Sequence, residues 1–481
     1  MNERSTQVLV VGGGPAGSTT AALIAREGFA VTLAERASFP RYHIGESLLP
    51  SCLRVFDVLG IREKMEAHGF QRKDGAYFDW GGEPWDFEFG TPSRPLYGFQ
   101  VIRSEFDQLL LDHARTQGVE VHENTEVKTV AMVDGRPRSA RLVDEDGVTR
   151  EISFEILVDA SGRTGLMANH YLRQRRFHEA FRNVALWAYW TDAKRLPIGP
   201  YGAIATCSIP TGWMWAIPLH DGTLSSGLVL HRTTFQEMRK YATLEEIYRD
   251  AVTSCRVVAG LTDEARLTTP LRVETDYSYV AERFSGPGYY LVGDAACFLD
   301  PLLSTGVHLA TFSGMVAAAA VSSTLRGEVS DLESTEFYDA SYRRAYLRML
   351  VVVSAFYQTH TGRDAYFKKA QQLTRRDYSD ANLAQAFVKI MSGLEDLRDI
   401  EGDPSQDLLP KLTDMYREHY SFVRKRDQWA TMSLEDINKG IARSRLVADV
   451  QEDFSLTPET AVNGLYVAAE PSLGLRRLGH A

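Results

Sequence analysis

The turn Gly12-Gly13-Gly14-Pro15-Ala16-Gly17 has the composition of a loop that cradles a pyrophosphate. Glycines at 12, 14 and 17 let the backbone approach phosphate oxygens. A helix opening at Pro15 and Ala16 would offer them its free N–H groups. Glu35, with Arg36 beside it, ends a following apolar strand, where a carboxylate can accept hydrogen bonds from a ribose diol. Two later strand ends are also acidic: Asp159 in LVDASGRTG and Asp294 in FSGPGYYLVGDAA. Asp294 suits the ribityl hydroxyls of a flavin, and Asp159 suits either that role or a cap on its own turn. A second kind of chemistry is written into Thr211 to Pro218. Trp213 and Trp215, spaced i, i+2, put two of the chain's seven tryptophans on one face of an extended segment. Such a pair is either a rigid barrier or ordinary sheet packing.

These residues need particular elements to position them. Gln7 to Val11 reads as a strand, the alanine-rich run to about Glu27 as a helix, and Phe29 to Ala34 as a second strand. NAD and FAD share that unit. A chain that returns to its nucleotide as late as Asp294 suggests FAD bound along its length, with another domain inserted. Residues 118–158 read as three antiparallel strands, turning at Asp134-Gly135 and Asp146-Gly147. Residues 183–232 are strand-rich, 240–259 helical, and 306–327 an alanine-rich helix. Residues 332–429 are charged, amphipathic and helical, and 464–471 hold one late strand. The expected class is α/β: a Rossmann-like FAD-binding domain, an inserted antiparallel β-sheet substrate domain and a mainly helical C-terminal region. Its boundaries are 1–110 for the first FAD part, 111–165 for the hairpin region and return, 166–275 for the substrate domain, 276–330 for the last FAD part and 331–481 for the helical region.

A formal net charge of −10 argues against nucleic acid or an anionic membrane as partner. Four scattered cysteines show neither metal spacing nor a disulfide framework, so no metal site is expected and a reduced, cytoplasmic setting fits. The polar residues 1–7 lead straight into a strand, with no signal segment visible. The apolar runs Gly314 to Val321 and Met349 to Phe356 are too short to cross a bilayer.

The glycine unit and the two acidic strand ends resemble the three fingerprints of class A flavoprotein monooxygenases, the group related to p-hydroxybenzoate hydroxylase. That resemblance implies that Arg103, before the helix near Ser104, helps to hold FAD. Gly212-Trp213-x-Trp215-x-Ile217-Pro218 matches the signature of flavin-dependent halogenases without a mismatch. Phe298-x-x-Pro301-x-x-Ser304-x-Gly306 matches in full the signature of the branch acting on phenols and pyrroles. The likeness runs from about residue 5 to about residue 380 and fades beyond.

The resemblance implies a set of roles. FAD, reduced by a separate flavin reductase, would meet O2 and chloride or bromide, giving hypohalous acid. Pro301 and Gly306 would lie beside the flavin. Halide would rest on backbone N–H groups at Thr305 and Gly306, where Ser304 opens a helix; Ser304 could equally be a plain cap. Trp213 and Trp215 would part the flavin chamber from the substrate. Lys73 would relay the oxidant, as a chloramine or as a hydrogen-bond donor. By residue type alone, a lysine beside Arg72 is an ordinary surface cation. His43 to Pro50 resembles the family's Gly-Glu-Ser segment near the isoalloxazine, which brings in Glu46 and Ser47. No carboxylate occurs in Phe312 to Ser322, which fits the phenol branch, where the substrate's own hydroxyl activates the ring. The implied substrate is a phenolic ring, free or tethered to an acyl or peptidyl carrier protein, in antibiotic or other secondary metabolism. An acidic carrier would need a local basic patch. Arg344 to Arg348, Arg363 to Lys369 and Arg375-Arg376 are candidates, or else solvated helix faces. Three other readings share the flavin unit: an FAD/NADPH aromatic hydroxylase, a geranylgeranyl-reductase-like enzyme and a non-catalytic flavoprotein scaffold.

Overall fold

Three short, fully buried apolar strands and a more exposed fourth build the nucleotide layer. Ile156–Asp159, Val8–Val11, Val31–Ala34 and Glu120–His122 run parallel within a six-stranded sheet. Tyr289–Leu291 extends it on the other edge, also parallel to Ile156–Asp159. Near-continuous burial explains why the first three read as apolar runs and not as alternating ones. The computed structural model describes residues 4–80, 83–90, 96–359 and 461–478.

The helix Pro15–Arg26 follows the glycine turn directly, with Pro at its start, where a missing N–H costs nothing. It packs against Thr305–Leu325, a helix buried on nearly every side. The contact is close because Gly314 has no side chain: a Cβ there would sit 2.9 Å from the Ala16 carbonyl oxygen. The alanine-rich run expected to be too short for a membrane thus belongs to a helix of 21 residues. That helix is long and apolar enough to span a bilayer, yet 94% of its most apolar window is buried in the fold. It is the core helix of the nucleotide layer.

The three antiparallel strands expected over 118–158 are Glu126–Val133, Arg136–Val143 and Thr149–Ser153. The last also pairs in parallel with Arg4–Ser5, and Glu120–His122 joins the nucleotide sheet instead. The large sheet runs from Cys297–Phe298 through Arg272–Ala281, Arg175–Thr191, Leu224–His231, Gly212–Pro218, Ile204–Ile209 and Gly75–Trp80 to Glu83–Glu88. Gly75–Trp80 comes from the first 110 residues and pairs in parallel with Ile204–Ile209. The first segment therefore serves both layers. The region expected to be helical over 240–259 is two helices, Leu244–Ser254 and Arg256–Thr262. The first begins with a capping box between Thr243 and Glu246. They cover one face of the large sheet, where Met214, Leu228, Ile247 and Tyr248 form a separate apolar core.

At the C-terminal side, Asp331–Thr359 is helical. The late strand is half of a hairpin, Leu465–Ala468 with Gly474–Arg477. Its tip is fastened to the nucleotide layer: Leu473 N–H donates to Glu27 Oε1 at 3.0 Å, and Leu475 N–H to Ser323 Oγ at 2.8 Å. The helices expected over 360–429, with Arg363 to Lys369 and Arg375-Arg376, lie outside the described residues.

Candidate active site

A cavity of about 790 Å³ lies between the nucleotide layer and the large sheet. Gly12, Gly14, Ala16, Glu35 and Arg36 line one part of it. Glu46, Ser47, Arg103, Asp294, Pro301, Ser304, Thr305, Gly306, Trp213 and Trp215 line the rest. Gly17, Asp159 and Lys73 are not among the lining residues.

The exceptions have physical causes. A Cβ on Gly17 would sit 1.9 Å from the Gly12 carbonyl oxygen, so this glycine serves the close packing of turn on helix. Asp159 is fully buried and its oxygens are taken up locally. Oδ1 accepts from Ser161 N–H at 3.0 Å and Oδ2 from Met167 N–H at 2.7 Å. It organises the turn after its strand, the second of the two roles its position allows. Gly12 has φ of +106°, and a Cβ would meet Ala160 O at 2.3 Å. Glu35 accepts from Gly13 N–H at 2.7 Å and Ala37 N–H at 2.9 Å, one on each oxygen, and each oxygen keeps further acceptor capacity. Asp294 reaches the same cavity. Burial raises its carboxyl to about 6 against the pull of Arg163, Arg103 and Arg175. A glycine turn, a ribose-type acid and a ribityl-type acid along one cavity fit FAD.

Arg103 opens the helix Arg103–Thr116 and is held on two sides. Its Nε and Nη2 donate to the Asp107 carboxylate at 2.9 and 3.1 Å, and Nη1 donates to Ile44 O at 2.5 Å. Gly45, at φ of +103°, leaves room for it: a Cβ there would be 2.9 Å from Nη1. The loop 43–47 is thus seated by the arginine.

The other end of the cavity is bordered by the start of the helix Thr305–Leu325. Asp300 Oδ1 accepts from Leu302 N–H at 2.9 Å and Oδ2 from Asn183 Nδ2 at 3.0 Å, which fixes the turn that carries Pro301. Ser304 then adopts φ of +59°, a left-handed conformation rare for a non-glycine residue. Its side chain makes no capping hydrogen bond, so the plain-cap reading is not what is observed. Thr305 begins the helix, and its buried Oγ1 has no hydrogen-bond partner. First-turn N–H groups and an unpartnered hydroxyl therefore border the cavity together.

The tryptophan pair is part of a larger wall. Ring centroids of Trp213 and Trp215 are 6.1 Å apart, Trp80 lies 6.5 Å from Trp213, and Trp187 lies 6.4 Å from Trp215. Trp187 also lines the cavity. Gly227 pairs with Trp187 on one neighbouring strand and Trp215 on the other. A Cβ on Gly227 would fall 2.2 Å from the Trp215 ring. Gly227→Ala is therefore expected to cost about 1–3 kcal/mol through overpacking. Urea melts of the two proteins check this.

Lys73 is 1% exposed, not a surface cation. Gln71–Lys73 pairs with Gly98–Gln100, and that strand in turn receives the segment 46–48 through Leu48 N–H to Phe99 O at 2.8 Å and Val101 N–H to Glu46 O at 2.7 Å. This brings Lys73 Nζ to 2.8 Å from Ser47 Oγ and 3.4 Å from Leu48 O. Burial pushes its ammonium down to about 7. Of the hydrogen-bond partners of Lys73 among the described residues, Ser47 lines the cavity.

Glu46 belongs to a chain of hydroxyls that sequence reading missed. Its Oε1 accepts from Tyr189 OH at 2.6 Å. Tyr189 OH lies 3.0 Å from Tyr42 OH, which accepts from Trp187 Nε1 at 2.6 Å. Tyr42 is 42% exposed. Burial raises Glu46 to about 7, opposed by hydrogen bonding and by Arg103. The available signal was the alternation in NVALWAYW, which puts Trp187 and Tyr189 on one face just as it does Trp213 and Trp215.

Comparison with known proteins places this geometry in a group. The chain matches the family described as "Tryptophan halogenase" over residues 7–96 and 93–397. It is 44% identical to a "Tryptophan 2-halogenase" of Chondromyces crocatus, over 98% of this chain and 94% of that protein. Among solved structures, the myxobacterial chondrochloren halogenase CndH, described as a new variant of FAD-dependent halogenases, superposes with a TM-score of 0.73 at 34% identity, over 82% of this chain and 92% of that one. CmlS, a flavin-dependent halogenase, gives a TM-score of 0.76 at 30% identity, over 99% and 85%.

Proposed function

This chain belongs to the tryptophan-halogenase family of flavin-dependent enzymes, and from that premise we propose that it installs chloride or bromide on a phenolic ring, free or tethered to an acyl or peptidyl carrier protein. At the coarser level it is an FAD-dependent halogenase acting on an aromatic ring. The supporting observation is one cavity bordered by the glycine turn, the open N-terminus of Thr305–Leu325 and the indole wall. Bound FAD, reduced by a separate reductase, supplies with O2 the two-electron oxidation of halide to hypohalous acid.

The residues of the chain do the rest. Thr305 and Gly306 hold halide on first-turn N–H groups, where the helix dipole favours negative charge. Trp187, Trp213 and Trp215 keep the ring away from the flavin. Lys73, behind Ser47, receives the oxidant and presents it to the substrate. An amine titrating near neutrality can either hold or release a proton at Nζ there. Ring halogenation is ArH + HOX → ArX + H2O, and the proton leaving the ring carbon needs an acceptor. Glu46 takes that role, with Tyr189 and Tyr42 leading to the surface. The setting is cytoplasmic, in keeping with four free, buried cysteines.

The test supplies FAD, a reductase, NADH, O2 and chloride or bromide, with free phenols, carrier-loaded phenols and tryptophan in parallel. Halide-dependent halophenol is the expected product. Hydroxylated product without halogen, independent of halide, would overturn the reading in favour of an aromatic hydroxylase. A second reading, an indole substrate, is favoured by the relative named for tryptophan. Faster formation of halotryptophan than of any halophenol would replace the first reading with it.

A further inference from the structure

Away from the cavity, two imidazoles and a carboxylate converge from three separate segments. His68 ends the helix Arg62–His68, Glu105 lies in the first turn of Arg103–Thr116, and His220 lies just after the strand Gly212–Pro218. His68 Nε2 is 2.7 Å and His220 Nε2 is 3.2 Å from the same oxygen, Glu105 Oε2. One ligand atom from each of the three lies within 4.8 Å of the others. None of the three lines the large cavity.

The surroundings hold the rings in place. Phe70 stacks on His68 at 4.1 Å between centroids and meets His220 edge-on at 5.3 Å. His220 Nδ1 is buried without a hydrogen-bond partner, which leaves that ring with an unused ligand atom. No lysine or arginine is paired with Glu105 among the described residues; the groups within 4 Å of its carboxylate are the two imidazoles.

We propose that His68, Glu105 and His220 form a binding site for a divalent transition ion, Zn2+ foremost. Two nitrogens and one carboxylate oxygen, with the remaining position open to water, are a donor set that zinc accepts. Bonds of about 2.0–2.1 Å in tetrahedral geometry separate ligand atoms by roughly 3.3 Å. The 2.7 and 3.2 Å separations open to that value by less than an ångström, a shift within reach of side chains that are 32%, 39% and 20% exposed. The ion takes the place of the hydrogen bond between His68 and Glu105. Its role is that of a clasp. It joins the turn after the tryptophan strand to two helices of the nucleotide layer, and it sits beside Phe70, whose chain runs directly into Gln71–Lys73.

The test uses the full FAD-loaded protein after chelator treatment. Calorimetric titration with Zn2+ should show one equivalent bound and a rise in melting temperature. Glu105→Gln and His220→Ala should each weaken that binding at least tenfold. His68→Asn, at the most exposed ring, should do the same without disturbing the fold, as circular dichroism would record. Cu2+ substituted at the site should give an electron paramagnetic resonance spectrum with coupling to two nitrogens, reduced to one by His220→Ala. Weak multi-site binding equal in parent and variants, an adventitious ion only, overturns the proposal, as does a copper spectrum indifferent to His220→Ala.

Discussion

Replacing Lys73 with alanine is expected to lower halogenated product by about two to four orders of magnitude, the range of a lost proton-transferring or activating side chain. Reoxidation of reduced flavin by O2 should continue, because Lys73 does not line the cavity and meets it at Ser47. Product analysis alongside NADH consumption separates the two. Persistent halogenation would remove Lys73 from the chemistry. Lys73→Met keeps the buried volume while deleting the amine, and it adds a stability readout with a definite sign. The native amine titrates near 7, below the ordinary lysine value of about 10.4. Between those values the unfolded chain binds more protons than the native one, so parent stability rises with pH across that window. Below pH 7 the native lysine carries an ill-solvated charge and its cost is greatest. Lys73→Met should thus be more stable than the parent by a few kcal/mol at pH 6. The advantage should shrink as pH climbs above 7. Denaturant melts at a series of pH values measure it.

Glu46→Gln is expected to lower kcat about a hundredfold by removing the proton acceptor while preserving shape. The signature lies in the pH profile. Burial places the Glu46 carboxyl near 7, so the basic form and the rate should grow through that pH in the parent. The glutamine variant should lose that limb. Tyr189→Phe deletes a hydrogen bond that favours the carboxylate, so it should move the limb to higher pH. If Glu46→Gln keeps the parent's profile, the acceptor lies elsewhere. If Tyr189→Phe moves the limb downward, the hydrogen bond acts on the neutral acid instead.

Much of the nucleotide layer is legible in the amino-acid sequence because its signals are local. Gly12 to Gly17 needs only a strand before it and a helix after it, and Gly12 and Gly17 answer to contacts within their own turn or with Ala160. The origin of Gly75–Trp80 is less legible. Its partner in the large sheet is Ile204–Ile209, and nothing within a strand announces so distant a neighbour. Asp159 shows where residue type leaves two roles open: an acid at a strand end serves a ligand or its own turn equally well, and its hydrogen bonds to Ser161 and Met167 belong to the turn. Lys73 shows the converse. Its flanks, Arg72 and Asp74, look like surface, and Arg72 is indeed exposed. The alternation of a strand turns the one residue out and the next one in. Tyr42 and Tyr189 escape notice because their meeting requires a loop of the nucleotide layer to touch a strand of the large sheet.

The indole wall has an optical consequence. Trp80, Trp187, Trp213 and Trp215 are four of the seven tryptophans in the chain, and each is within 6.5 Å of another in the group. Excitation hops readily among rings so close, and three of the four border the cavity. A flavin entering there absorbs where indoles emit, so it draws energy from the whole group at once. The residues proposed to screen the ring from the cofactor make intrinsic fluorescence a gauge of whether the cofactor is in place.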